Sequence, residues 1–282
     1  MNDLEEKFES FHLLPKSKET RFAEGGLRVK NFSSETKPLI SIITVVKNGE
    51  RYLEETILSV INQTYKNFEY IIVDGGSTDN TLNIIKKYSS KINYWVSETD
   101  KGLYDAFNKG MMLANGSFIG IINSDDTYMP NALEILKDYI NKNSEIDFFF
   151  GSVKKHWGVL HGYKPEKIFY SWGFYTSHST GFFIKKSSAK IVGLYNLKYK
   201  YHADYDYFFR MIVTKKLKGM ASKKDEIFGN FRRGGFSSTI SFKKLFIEEL
   251  KIRIDNKQNP FLVLVIFIYK FIKHFKKIIK LQ

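Results

Sequence analysis

The residues best suited to chemistry in this chain are carboxylates and amides in short polar turns, each following an apolar run. Asn123-Ser124-Asp125-Asp126 sets hard oxygen donors at one turn. Such a set suits Mg2+ or Mn2+, which keep part of their water shell and bridge a ligand's phosphates. The same turn could do no more than cap the helix that starts near Pro130, and four residues do not decide between the two. Other turns carry Lys47 with Asn48, Asp74, and Glu98 with Asp100 and Lys101. Neither the G-x-G-x-x-G fingerprint nor the P-loop pattern occurs, which argues against a nicotinamide dehydrogenase and a P-loop kinase. The 282 residues include no cysteine. That excludes a disulfide framework, a Cys-ligated zinc and a thiol nucleophile, and it fits a reducing compartment.

The elements that must hold these turns alternate along the chain. Residues 39–46 are apolar and β-branched, short enough for a fully buried strand, and Lys47-Asn48-Gly49 breaks the run. Leu53, Ile57, Val60 and Ile61 then recur at helical spacing. Residues 68–73 predict a second strand, ending in Asp74-Gly75-Gly76-Ser77-Thr78-Asp79, a turn rich in helix N-caps. Strands over 92–96, 117–122 and 146–150 follow, separated by helical patterns that include residues 103–113. Strands alternating with helices predict an α/β fold with a mostly parallel central sheet flanked by helices. Ligands bind such sheets at the carboxyl ends of the strands, where the polar turns fall. Beyond Gly151 the pattern loosens, until a helix is expected over 202–216 with Tyr205, Phe208, Phe209 and Ile212 on one face.

Charge divides the chain. The formal net charge is +14, yet residues 41–140 carry nine bases against 13 acids. Residues 141–240 carry 18 against seven, and 241–282 carry ten against three. A surface charged only for solubility predicts no such asymmetry, whereas a nucleic acid, an anionic membrane or a phosphorylated ligand would each explain it.

Four ordered segments narrow the choice. They are Ser41-Ile42-Ile43-Thr44-Val45-Val46-Lys47-Asn48-Gly49, Ile71 to Asp79, Ser97 to Gly110, and Asn123-Ser124-Asp125-Asp126. In order and spacing the chain resembles glycosyltransferase family 2, inverting nucleotide-sugar transferases of the GT-A fold, strongly over 39–140 and more thinly to about 240. The resemblance implies that Thr44, Val45 and Lys47 hold the nucleotide and that Asp74 reads the base ring. It implies that Lys101, Asp105 and Asn108 line the nucleotide and sugar side. Asn123-Ser124-Asp125 takes the family's D-x-D position, with Asn in place of the first Asp and Asp125 as ligand of Mg2+ or Mn2+. His202-Ala203-Asp204 resembles the acidic motif that opens an acceptor-side helix, which makes Asp204 the expected base. Asp206 is its competitor, a carboxylate that could equally be a plain helix residue. His178 lies where relatives carry a histidine near the acceptor, a position that suits a structural histidine too. Arg232 and Arg233 resemble a loop that folds over the donor diphosphate, or a basic surface turn. Trp172 could stack on a sugar or sit in a core.

The expected division is then a polar arm over 1–37, a catalytic domain over 38–240, and a basic C-terminal extension over 241–282. Within the domain, 38–140 is the nucleotide-sugar half and 141–240 the acceptor half. Acids at Asp3, Glu5, Glu6 and Glu9 do not read as a secretory signal. Phe261 to Tyr269 is an unbroken apolar run, too short to span a bilayer at about 20 residues. Lys270, Lys273, Lys277 and Lys280 then recur at helical spacing, with Phe271, Ile272, Phe275, Ile278 and Ile279 on the other side. This reads as a basic amphipathic helix for an anionic membrane surface, or as a helix packed on the domain with its lysines in solvent. The expected partners are a nucleotide-diphosphate sugar (by family resemblance a UDP-sugar), a glycan or polyprenyl-linked acceptor, and the inner face of the cell membrane. No nucleic-acid-binding motif is present, so a nucleic-acid partner is not expected. A non-catalytic binder of nucleotide or glycan is the main alternative.

Overall fold

The structure is a computed structural model that describes residues 8–15, 20–30, 39–170, 179–234 and 240–279, with side chains to residue 275. Its strands in chain order are β1 (Arg21–Gly25), β2 (Ile40–Val46), β3 (Phe68–Asp74), β4 (Tyr94–Glu98), β5 (Phe118–Asn123) and β6 (Thr127–Tyr128). They continue with β7 (Phe148–Phe150), β8 (Ser152–Lys155), β9 (Gly158–Leu160), β10 (Phe182–Lys185), β11 (Gly219–Ala221) and β12 (Ile227–Asn230). The helices are α1 (Leu53–Ile61), α2 (Thr81–Lys87), α3 (Leu103–Leu113), α4 (Ala132–Lys142) and α5 (Pro165–Tyr170), then α6 (Lys186–Val192), α7 (Ala203–Phe209), α8 (Phe242–Asp255) and α9 (Pro260–Ile279).

The larger sheet has eight strands in the order β1-β4-β3-β2-β5-β10-β7-β11. β4, β3, β2 and β5 run parallel, β1 is antiparallel at one edge, and β10 is antiparallel between β5 and β7. Every residue of β2 is buried, as an unbroken apolar run requires when helices cover both sheet faces. Leu53, Ile57 and Val60 of α1 and Leu133 and Leu136 of α4 pack on one face. Phe107 and Met111 of α3, with Tyr205 and Phe208 of α7, pack on the other. The order and direction of these strands put the polar turns after β2, β3, β4 and β5 on one edge. A smaller sheet, β6-β12-β8-β9, stands beside that edge. The expected helix over 202–216 divides into α7 and a wider π turn over Arg210–Thr214.

Part of the stretch read as a polar arm is built into the domain. β1 pairs with β4, and Phe8 and Leu14 join the core. An edge strand has one neighbour and a half-covered face, so Arg21-Phe22-Ala23-Glu24-Gly25 lacks the apolar signature of β2. Arg28 is buried and ion-paired with Glu69, and it donates to the Leu113 carbonyl (2.8 Å). Glu69 also accepts from Ser41 Oγ and from the Asn115 and Gly116 amides.

The C-terminal helices pair with each other, with Phe246 stacked on Phe267 at 4.6 Å, and α9 leaves helical geometry at His274. The expected solvent-facing row of lysines fails at its first member. Lys270 turns inward to Glu249 of α8 (2.6 Å), because Val263, Ile266 and Phe267 direct that side of α9 onto α8. Phe261, Leu264, Val265, Ile268, Ile272 and Phe275 are exposed instead. The side chains of Lys277, Ile278 and Ile279, and all of Lys280, lie outside the described residues.

The Arg28–Glu69 pair predicts a stability effect. Glu69→Ala leaves a buried guanidinium uncompensated and should cost about 3–5 kcal/mol in urea unfolding. A loss below about 1 kcal/mol would mean that the N-terminal segment is not fastened this way.

Candidate active site

An open cleft of about 840 Å³ lies at the carboxyl ends of the central strands. One wall is polar and comes from the strand ends: Val45, Lys47, Asp100, Asn123, Ser124 and Asp125. The other wall is aromatic and joins the two halves: Tyr104 and Phe107 of α3, with Phe182, Tyr195, Tyr201 and Phe208 of the second half. Tyr195 stacks on Tyr104 at 5.6 Å and on Tyr207 at 4.4 Å, so this wall is backed by rings in contact.

The turns of the polar wall are tied to each other. Asn48 holds a left-handed backbone, φ 52°, which Asn tolerates better than most residues. Its amide donates to Ser77 Oγ (2.7 Å) and its side-chain oxygen accepts from the Thr78 amide (2.9 Å). Asp74 anchors the partner turn. It is fully buried and accepts from Ser97 Oγ (2.6 Å) and from the hydroxyl and amide of Ser77. Its carboxylate is therefore occupied, and it does not line the cleft. Gly75 leaves room for Asp100, since a Cβ there would lie 2.1 Å from Asp100 Oδ2. Burial raises the carboxyl pKa of Asp100.

Asp125 and Asp126 have opposite surroundings. Asp125 lines the cleft, and burial raises its pKa while Arg232 opposes the shift. Asp126 is fully buried. It accepts from Thr180 Oγ1 (2.7 Å) and the Arg232 amide (2.9 Å), and burial pushes its pKa up to about 7. Asp126 thus holds the loop after β12 against this turn, and Asp125 is the member open to a ligand. Among the described residues no three acidic or histidine side chains converge into a closed metal site. One carboxylate at an open cleft still fits Mg2+ or Mn2+, which take the rest of their shell from water and substrate phosphates.

Asp204 faces the cleft from α7. Its Oδ1 accepts from the Tyr104 hydroxyl (3.1 Å) and the Tyr205 amide (2.9 Å). Its Oδ2 accepts no hydrogen bond among the described residues. Burial raises the Asp204 pKa, and nearby His202 acts against that shift. Asp206, its competitor, is buried and ion-paired with Arg210 (2.9 Å), so it is a structural residue.

Several expected site residues build the cleft without facing it. Thr44 is fully buried against the Tyr70 hydroxyl (2.9 Å). Asn108 is buried and clamps Tyr195, donating to its carbonyl (2.9 Å) and accepting from its amide (2.8 Å). Asp105 pairs with Lys109 (3.4 Å) and accepts from the Lys101 amide (3.0 Å), while the Lys101 side chain is exposed. Arg232 turns to Glu55 (2.5 Å) and lies over the Tyr52 ring at 4.0 Å. Arg233 is exposed. Trp172 and His178 lie outside the described residues. Tyr52 and Tyr195 are cleft residues to which sequence reasoning gave no role, whereas Asp100 stood among the strand-end carboxylates and Tyr104 within the stretch from Lys101 to Asn108 expected to line the sugar side. For Tyr104 the signal was present, since its helical face also carries Phe107 and Asn108.

Comparison with known proteins agrees with this fold. Residues 41–211 match the family model described as Glycosyl transferase family 2. An uncharacterized glycosyltransferase of Rickettsia typhi is 33% identical over 190 residues, 62% of this chain and 59% of that protein's length. The chain therefore matches well under two thirds of that relative. A Mycobacterium tuberculosis "PGL/p-HBAD biosynthesis glycosyltransferase" is 28% identical over 76% of this chain and 84% of its own length. Among solved structures, S. aureus TarS 1–349 in complex with UDP-GlcNAc has a TM-score of 0.61 at 19% identity, covering 84% of this chain and 72% of that one. The mannosyltransferase PcManGT of Pyrobaculum calidifontis, in complex with GDP-Man and Mn2+, has a TM-score of 0.60 at 14% identity, covering 86% and 72%. At these identities the two structures share the fold.

The Asn108 clamp predicts an outcome. Asn108→Ala strands the buried amide and carbonyl of Tyr195 and should cost about 1–3 kcal/mol per unpaired group. Thermal unfolding measures the loss, and an unchanged midpoint would mean that Tyr195 is held by stacking alone.

Proposed function

This chain belongs to glycosyl transferase family 2, and on that premise we propose that it moves a sugar, with inversion, from a nucleotide-diphosphate sugar to a glycan or lipid-linked acceptor. The observation that carries this reading is the two-walled cleft: Lys47 and Asp125 at strand ends on one side, Asp204 among aromatic rings on the other. The acceptor hydroxyl forms the new bond to the anomeric carbon, from the face opposite the departing diphosphate. Its proton passes to Asp204 Oδ2, and the bond from the anomeric carbon to the phosphate oxygen breaks. One base on the acceptor side suffices for such a displacement.

Charge supports a divalent cation. Among the described residues, the charged ones lining the cleft are Lys47 and Arg51 against Asp100, Asp125 and Asp204, a balance that by itself does not attract a diphosphate. Asp125 would hold Mg2+ or Mn2+, which supplies positive charge to the leaving diphosphate. Asn123 and Ser124 beside it, with Val45 and Lys47, are the proposed donor contacts. Thr44, Asp74, Lys101, Asp105 and Asn108 act as supports for them, and Arg232 and Arg233 belong to the adjacent loop. Structural neighbours with UDP-GlcNAc and GDP-Man favour a hexose or N-acetylhexosamine donor.

We further propose that α9 rests on an anionic membrane at the cytoplasmic face, as an enzyme of cell-surface polysaccharide synthesis would. None of the described helices is long and apolar enough to cross a membrane. The exposed row from Phe261 to Phe275 suits insertion at the headgroup level, and the positive charge of residues 241–282 suits anionic lipid. Ile268→Glu with Ile272→Glu should release the protein from phosphatidylglycerol vesicles in sedimentation. Undiminished sedimentation would remove α9 from this role.

The catalytic reading is tested with a thermal-shift panel of UDP- and GDP-sugars, with and without Mn2+. Asp125→Ala should abolish the Mn2+-dependent part of the shift. Asp204→Asn should keep the shift and lose about 100-fold or more in turnover. Asp204 must be ionised to accept a proton, so activity falls as pH drops through its pKa. Because burial raises that pKa, the acidic limb of kcat/KM should lie above the ordinary aspartate value of about 3.9. Full turnover by Asp204→Asn would assign the base elsewhere.

A further inference from the structure

The loop that presents Asp204 is not held by its own segment. His202 is the residue before α7, and its side chain makes no capping bond. The three amides just ahead of α7 are bound instead from α8, more than 40 residues later. Glu248 Oε1 accepts from the Lys200 amide, and Oε2 accepts from the Tyr201 and His202 amides, each at 2.7 Å. Three successive N–H groups converging on one carboxylate form an anion-binding concavity of the backbone. Hydrogen bonds to an ionised acceptor are the stronger kind.

The peptide between Tyr201 and His202 is fixed from both sides. Its N–H meets Glu248. Its carbonyl (3.0 Å) shares the single proton of the Tyr104 hydroxyl with Asp204 Oδ1 (3.1 Å). Rotation of this peptide would therefore move both the loop and the partner of the carboxylate. Two more residues of the same region fasten α8 to it. Asp255 accepts from the Tyr199 hydroxyl (2.6 Å), and Asn256 donates to Asp206 Oδ1 (2.9 Å).

We propose that Glu248 is a positioning residue for Asp204, so that the C-terminal extension completes the acceptor side of the cleft. The proposal rests on the reading of Asp204 as base. Glu248 does not line the cleft; it fixes the peptide that meets the Tyr104 hydroxyl just ahead of α7. The groups that face Asp204 are Tyr104 and Tyr195 from the first and second halves and His202 from its own loop. A displaced loop changes all three distances at once, which alters the protonation of Asp204 as well as its aim.

The test compares Glu248→Gln with Glu249→Gln in the full chain. Gln at 248 keeps the length but sets an NH2 group against at least one of the three amides. Glu249, the next residue, bonds Arg253 of α8 (3.1 Å) and Lys270 of α9 (2.6 Å), and none of the three loop amides donates to it. Turnover is read with the sugar nucleotide that gives the largest thermal shift, and backbone exchange of residues 200–206 by hydrogen–deuterium exchange. Glu248→Gln should lower kcat by about tenfold or more at little-changed donor KM, speed exchange of the 200–202 amides by about tenfold, and move the acidic limb of the pH profile. Glu249→Gln should lower the unfolding midpoint without moving that limb. Wild-type kcat and pH profile in Glu248→Gln, or the same changes in Glu249→Gln, would overturn the positioning role. Full turnover by Asp204→Asn, run in parallel, would instead overturn the base on which it rests, whatever the exchange rates.

Discussion

Everything in the cleft depends on α3 holding two independently built walls at a fixed separation. Tyr104 and Asn108 lie one turn apart on its inner face, where residues four apart are neighbours. Asn108 takes both polar groups of the Tyr195 backbone, and Tyr104 takes the Tyr201 carbonyl and Asp204. These are buried polar contacts, and a buried amide left without a partner costs more than a made bond contributes. The second half is therefore not free to slide along the first. α3 itself is seated on the sheet so closely that Gly110 meets Ile43, where a Cβ would lie 2.4 Å from the Ile43 methyl.

This constraint divides the polar residues of the strand ends into those that face the cleft and those that shape it. The acidity of residues 41–140 looked like a binding charge, but part of it is architectural. Glu69 and Glu98 neutralise buried arginine and lysine side chains. Asp74 and Asp126 accept the hydroxyls and amides that fold their turns. Asp100 and Asp125 are the two from this stretch that line the cleft. The lysines of the second half need no ligand to account for them one by one: Lys198, for example, pairs with Asp255 and stays largely exposed.

The parallel core was legible because β2, β3 and β5 are apolar on both faces and end in sharp polar breaks. The smaller sheet was not. β9 has no buried residue and β6 is two residues long, so neither carries a period that a strand pattern could reveal. The four ordered motifs located the cleft, since Val45, Lys47, Asn123, Ser124 and Asp125 all line it, with Asp204 across from them. They could not separate a polar residue that faces a ligand from one that makes the facing possible. Thr44 and Val45 are adjacent in a strand and point to opposite faces, so one of the pair had to turn away. Asp74 had a local warning. An Asp three residues before a Ser in a Gly-rich turn is the pattern of a carboxylate that bonds its own backbone. Asn108 had none, because its partner at Tyr195 is 87 residues away.

The C-terminal extension was the least legible part, because a helix pattern records which residues share a face but not which face meets the protein. On α9 the choice falls against the simple amphipathic rule. Lys270 is inside because Glu249 is there to receive it, and an unpaired ammonium at that place would be costly. Burial still lowers the Lys270 pKa against the pull of Glu249. Keeping that pair lets α9 turn its apolar residues outward without losing its grip on α8. Glu248 and Glu249 then serve different faces of one helix, about 100° apart as successive residues must be. The first meets the loop before α7 and the second meets α9. One helix thus packs against both the loop at the edge of the cleft and the inner face of α9. On the proposal that Asp204 is the base, α8 would belong to the catalytic architecture as well as carrying α9.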